Sequence, residues 1–154
     1  MLLVFIFIIW YYKVSGALAI TTLAINVVLV LAALVGLEAT LTLPGIAGIA
    51  LTIGMAVDAN IIIFERIKEE IAFGTPVREA VATGFSRAFW TILDANLTTA
   101  AAGLCLLNFG TGPIRGFAVT LIIGIIATVY TAYFVGRLFF ELYMDKTQGK
   151  SVSI

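Results

Sequence analysis

Residues 43–66 read LPGIAGIALTIGMAVDANIIIFER, a run apolar as far as Phe64 but for a few polar residues, among them one carboxylate, Asp58. About 20 apolar residues cross a hydrocarbon core of about 30 Å as a helix, so the run reads as a transmembrane span carrying a charge. Asp at mid-span costs about 2.5–3.5 kcal/mol on an insertion scale where each Leu, Ile, Val or Phe returns about 0.3–0.6. Residues 44–64 hold nine residues of those four types, a return of roughly 3–5 kcal/mol. Asp58 consumes most of that before Pro44, Asn60 and the glycines are counted. The helix therefore needs protein around it. An ionisable residue inside a span is expected to face a bundle interior or a watery path, and marks a functional site by default.

The rest of the chain agrees with a membrane setting. Of 154 residues, 62% are hydrophobic and 12% charged, with a mean hydropathy of +1.13. Soluble domains average about 45–50% apolar and about 25% charged. Lys and Arg balance Asp and Glu, so nothing points to nucleic acid. With one cysteine, Cys105, and no histidine, an internal disulfide is impossible and no metal site is expected. Cys105 reads as a small core residue.

One domain, 1–154, is expected: an all-α, polytopic transmembrane helix bundle. Its spans are read at 1–12, 17–35, 43–64, 88–108 and 114–137. The first, MLLVFIFIIWYY, covers only about 18 Å as a helix and is read as the second half of a truncated span, with no signal peptide. The polar stretch 65–87 is read as a cytoplasmic amphipathic segment. Within it Gly74 is expected to stop a helix, Thr75 to cap the next and Pro76 to open its first turn. Val77, Ala80, Val81, Gly84, Phe85 and Ala88 share one face, as on a helix lying on the membrane surface. The end of the last run, GRLFFELYMDK (136–146), is expected to leave the bilayer as an interfacial helix. If alternate loops share a side, Lys13, Arg66, Lys68, Arg78, Arg87, Arg137, Lys146 and Lys150 fall together, opposite Arg115. The positive-inside rule puts that group in the cytoplasm. Asn26 reads as glue between helices, and Trp10, Trp90 and the tyrosines as an interfacial belt.

Asp-Ala-Asn recurs at 94–96 in ILDANLTT. Asp58 lies seven residues before Glu65 and Asp94 seven after Arg87, which is about 10 Å of helix each. Antiparallel neighbours would hold both carboxylates at similar depth. On the first helix Leu51 and Gly54 share the Asp58 face, while Asn60 points nearly opposite. Thr91, Leu97 and Thr98 share the Asp94 face. Gly45, Gly48 and Gly54 would let helices approach closely. A carboxylate taken out of water without a cation favours its protonated form. Asp58 can then exchange a proton, pair with an arginine on another chain, or simply hydrogen-bond two helices together.

Three stretches, GMAVDANIIIFERIKEE (54–70), ILDANLTT (92–99) and FGTGPIRGFAVTLIIGI (109–125), closely resemble the membrane-domain motifs of the SecD/SecF family. This family serves the Sec protein-export machinery and is related to the resistance-nodulation-division transporters. Val-Asp-Ala-Asn at 57–60 is similar to the SecD branch. The resemblance implies the last five spans of six, without the first span and the extracytoplasmic domain. It implies an accessory translocase subunit, not an enzyme, that uses the proton-motive force to promote export across the bacterial or archaeal inner membrane. It makes Asp58 a proton-relay carboxylate, with Asp94 a weaker candidate. Asn60, Asn96 and Thr98 would be supporting polar residues, and Glu65 and Arg66 the cytoplasmic end of the motif. The coupling ion is the proton, with no other cofactor. The implied partners are a SecF-like subunit whose arginine faces Asp58, the SecYEG translocon, YajC, membrane lipid, and exported polypeptide handled by the missing domain. The rival readings are half of a proton-driven small-molecule efflux transporter and a passive membrane scaffold. An intramembrane aspartyl protease would need the Gly-x-Gly-Asp and Pro-Ala-Leu signatures, which the chain lacks.

Overall fold

The computed structural model describes residues 2–146, with side chains from residue 6 onward, so the orientation assigned to Lys150 lies outside the described residues. Helices account for nearly all of them: α1 (Leu2–Gly36), α2 (Leu43–Ala72), α3 (Val77–Phe109), α4 (Pro113–Tyr130) and α5 (Gly136–Lys146), with a π-helical segment, Thr131–Val135, joining the last two. Four helical stretches are long and apolar enough to cross a membrane: Ile6–Gly36, Leu43–Ala72, Val77–Phe109 and Pro113–Lys146. The short N-terminal segment expected as a fifth, truncated span is an arm of α1. The chain reverses at Lys13 (φ 47°, ψ −113°) and folds the arm back on the rest of the helix. Ile8 thus meets Ala19, Ile20 and Leu23, and a Cβ at Gly16 would stand 2.5 Å from the Ile8 carbonyl oxygen.

Residues 65–87 correct the expectation of a separate surface helix. Both α2 and α3 run straight through this polar stretch and are joined by a four-residue turn, 73–76. Helix propagation follows backbone propensity, and the Glu, Arg, Lys, Ile and Ala of this stretch propagate well whatever their polarity. The expected apolar face is real, but protein covers it: Ala80, Val81, Gly84, Phe85 and Ala88 are buried. Gly84 lets α3 approach so closely that a Cβ there would meet the Ile67 backbone at 3.1 Å. The expected interfacial helix at 136–146 likewise prolongs the last rod and packs inward through Phe140 and Met144. Tyr12, Phe64, Phe140 and Phe85 form a chain of ring contacts, with centroids 5.1, 5.6 and 5.6 Å apart. That chain joins α1, α2, α5 and α3.

Two helix ends close alike. Gly74 (φ 87°) ends α2, with Gly74 N–H on the Ile71 carbonyl and Thr75 N–H on the Glu70 carbonyl. This is a Schellman motif. It engages Thr75 with the helix behind it, so Thr75 does not cap α3; Pro76 holds the cap position, without a side-chain bond. At the end of α1, Glu38 and Ala39 make the same pair of bonds to Val35 and Leu34, but the left-handed position is Glu38 (φ 50°). A side chain there costs about 1 kcal/mol or more relative to glycine. Glu38→Gly is therefore expected to stabilise the protein by about 1 kcal/mol, read as a higher unfolding midpoint in detergent. An unchanged or lower midpoint would contradict the cap.

Glycines also line the contact of α2 with α4. Gly45 and Gly48 face Thr120, and Gly124 faces Thr52. Gly54 does not take part, since a Cβ there would meet nothing within 4 Å. Asn26, 1% exposed, donates from Nδ2 to Thr128 Oγ1 (3.3 Å) and Thr131 Oγ1 (3.0 Å), as expected of glue between α1 and the last rod. Cys105 is exposed, not a core residue, because it lies on the outward face of α3. Trp10 and Trp90 also point outward.

Candidate functional site

Basic residues gather at one end. Tyr12 Oη donates to Glu65 Oε1 (2.7 Å), Lys68 Nζ pairs with the same oxygen at 3.3 Å and lies 4.2 and 4.5 Å from the Tyr11 and Tyr12 rings. Arg66 pairs with Glu69 and Arg78 with Asp145. Arg87 pairs with Glu70, whose side chain is only 8% exposed, and ties the prolongations of α2 and α3 together. Glu65 thus joins α2 to Tyr12 of α1, while Arg66 pairs within its own helix. Glu70 escaped the sequence reading because its significance comes from a residue 17 positions away.

The same antiparallel register carries up into the spans. With α2 and α3 antiparallel, Asp58 and Asn96 come to line the same space between the two helices. Asp58, Met55, Ala59 and Ile62 of α2 and Ile92, Ala95, Asn96 and Thr99 of α3 line one open cleft of about 140 Å³. That is room for several water molecules beside polar groups. Asp58 lies on the exposed side of α2, and Asn60 is buried on the opposite side, where it faces α1 and donates from Nδ2 to the Ala56 carbonyl (3.0 Å). The expected opposition of the two residues holds, but Asp58 does not point into the interior of this bundle. Asp58 forms no ion pair with any described residue.

The second motif is disposed differently. Asp94 and Thr98 are exposed and do not line the cleft, whereas Asn96 and Thr99 do. Expecting Thr98 beside Asp94 was sound for that face; Thr99 was missed, although it lies on the Asn96 face, three residues on. The two carboxylates do not share one cleft, which removes the arrangement needed for two aspartates to share a proton. Among the described residues no cluster of three His, Cys, Asp or Glu side chains could hold a metal ion. The cleft offers a carboxyl, a carboxamide and a hydroxyl, a set suited to holding protons and water.

Fold and cleft together define a polytopic helical membrane protein with a carboxylate lining a cleft between two of its long apolar helices. The family described as protein export membrane protein SecD/SecF, C-terminal, matches residues 1–146, and the chain belongs to that family. It is 55% identical over 149 residues to the protein translocase subunit SecD of Syntrophobacter fumaroxidans, covering 97% of this chain and 28% of that one. It is 53% identical over 154 residues to the SecD of Desulfurispirillum indicum, covering 100% and 30%. The crystal structure of SecDF from Thermus thermophilus, a translocon-associated membrane protein, superposes with a TM-score of 0.90 at 44% identity, covering 94% of this chain and 20% of that one. The chain thus spans about three tenths of the SecD relatives it matches.

Proposed function

We propose that this chain is the membrane segment of an accessory subunit of the Sec protein translocase, in which Asp58 takes up and releases a proton to couple the proton-motive force to protein export. One observation carries it: a lone carboxylate opens, without a cation, into a water-sized cleft on the outer face of a tightly packed helix unit. A charge there is tolerable only if it is neutralised by a proton or by a partner. A SecF-like subunit bringing an arginine to the α2–α3 face meets that need, and α3, the least buried of the four spans at 17%, leaves the surface for it. SecYEG and YajC are the further partners, exported polypeptide is the substrate, and the bacterial or archaeal inner membrane is the location, with the basic end in the cytoplasm. Asp94, exposed outside the cleft, serves as a secondary carboxylate of the same path, with Asn60, Asn96 and Thr98 as supporting polar residues.

Small-molecule efflux and passive scaffolding are the competing functions, and one experiment separates all three. Cells depleted of their own SecD receive the complete subunit containing this segment together with its SecF partner, and secretion of a preprotein is followed with and without an ionophore. The expected result is restored secretion whose increment over depleted cells vanishes when the gradient collapses. An increment that survives the ionophore would instead identify a scaffold. Drug resistance without restored secretion would identify an efflux pump.

A further inference from the structure

Two buried side-chain oxygens have no hydrogen-bond partner among the described residues, Asn26 Oδ1 and Asn96 Oδ1. The second belongs to a residue that lines the same cleft as Asp58. Asn96 is 6% exposed, and its Nδ2 donates to the Ile92 carbonyl at 2.7 Å. That bond fixes the amide's orientation, because the opposite flip would set two carbonyl oxygens against each other. A buried acceptor left unmet is destabilising, so the group calls for a donor. Of the eight lining residues Asp58 alone is titratable, and the remainder supply Thr99 and apolar walls.

We infer that Asn96 is a positioning residue that holds the protonated form of Asp58: the neutral carboxyl donates its O–H to Asn96 Oδ1, directly or across one water molecule. This rests on Asp58 being the proton carrier. The ionised carboxylate has no hydrogen to donate, only lone pairs, and is repelled by the Oδ1 lone pairs. Protonation therefore draws the carboxyl into the cleft, and ionisation releases it toward the exposed face of α2, where a partner's cation can meet it. The proton enters from water on one side of the membrane and leaves to water on the other. Asn96 neither gains nor loses one. The Asp-Ala-Asn spacing on both helices acquires a reason: run antiparallel, it brings a carboxyl on α2 and a carboxamide on α3 to the same cleft.

The test is infrared difference spectroscopy across a pH step on the complete subunit with its SecF partner in lipid nanodiscs. The carboxyl C=O band of protonated Asp58 is the one that disappears in Asp58→Asn. In Asn96→Leu, which keeps the bulk and removes the acceptor, that band should move to higher wavenumber, and in Asn96→Thr, which restores an acceptor, it should move back. Should the leucine variant misfold, Asn96→Ala supplies the same comparison. A band in the same place in wild type and in Asn96→Leu or Asn96→Ala would overturn the inference while leaving Asp58 as proton carrier. Absence of any band that Asp58→Asn removes would overturn the proton-carrier assignment itself.

Discussion

Asp58→Asn is expected to leave the helical bundle assembled and to abolish the part of protein export that depends on the proton gradient. The substitution keeps size and shape and removes the exchangeable proton. No described hydrogen bond or ion pair holds a helix through Asp58, and its neighbours on that face, Leu51 and Gly54, are exposed too. Stability should thus change by no more than about 0.5 kcal/mol, the range for substitutions away from packed or paired groups. Export measured in membrane vesicles with an imposed gradient should fall to the level seen without one, while the unfolding midpoint stays put. Normal gradient-driven export by the Asn variant would sink the proton-carrier assignment. Asp94→Asn is the companion variant. Because Asp94 stands outside the cleft, it should lose less than Asp58→Asn.

Gly124→Leu should have the largest effect on folding. A Cβ at Gly124 would stand 2.6 Å from Thr52 Cβ and 2.9 Å from Thr52 Oγ1, as well as against Thr52 Cγ2. Thr52 is 1% exposed and bonded from Oγ1 to the Ile49 carbonyl (2.9 Å). Turning a β-branched side chain about χ1 cannot remove a clash with its own Cβ. The helices must therefore separate along the α2–α4 interface. Overpacking of this kind costs typically about 1–3 kcal/mol and more for a bulky residue, a large part of a total stability of about 5–15. Low yield and a sharply lowered unfolding midpoint in detergent are the expected readouts. Gly54→Leu, on α2 two residues from Thr52, should be tolerated by the isolated chain, since nothing lies within 4 Å of its Cβ. Equal damage from both would mean that the α2–α4 contact is not where the glycines act.

These two glycines show what could be read before the fold was known. Composition and the length of the apolar runs settle the membrane class and the long helices, because both are set by the thickness of hydrocarbon. Helical periodicity alone places Asn60 opposite Asp58, and Asn26 announces itself as an amide in an otherwise apolar span. Which face meets a neighbour is another matter. Gly45, Gly48 and Gly54 look equivalent in sequence, yet only the first two meet α4, because helix rotation is chosen by the partner. The run 65–87 looked like a break because polarity marks where a chain meets water, and polarity does not stop a helix. Asn96 was visible as a polar residue, but its unmet oxygen became apparent only when α3 was laid antiparallel to α2. The ion pair of Arg87 with buried Glu70 depends on the same alignment.

The unbroken run of α2 past the membrane has a mechanical meaning. From Asp58 to Ala72 the helix extends about 21 Å at about 1.5 Å per residue. α3 is strapped beside it at Gly84 and Arg87, so the pair forms one stiff rod between Asp58, the proton carrier proposed above, and the turn at 73–76. A tilt of about 10° at Asp58 would carry that turn about 4 Å, given the helix rise. On the function proposed above, a single proton arriving beside Asp58 would thus be felt at the far end of the helix pair as a displacement comparable to an atom-to-atom contact.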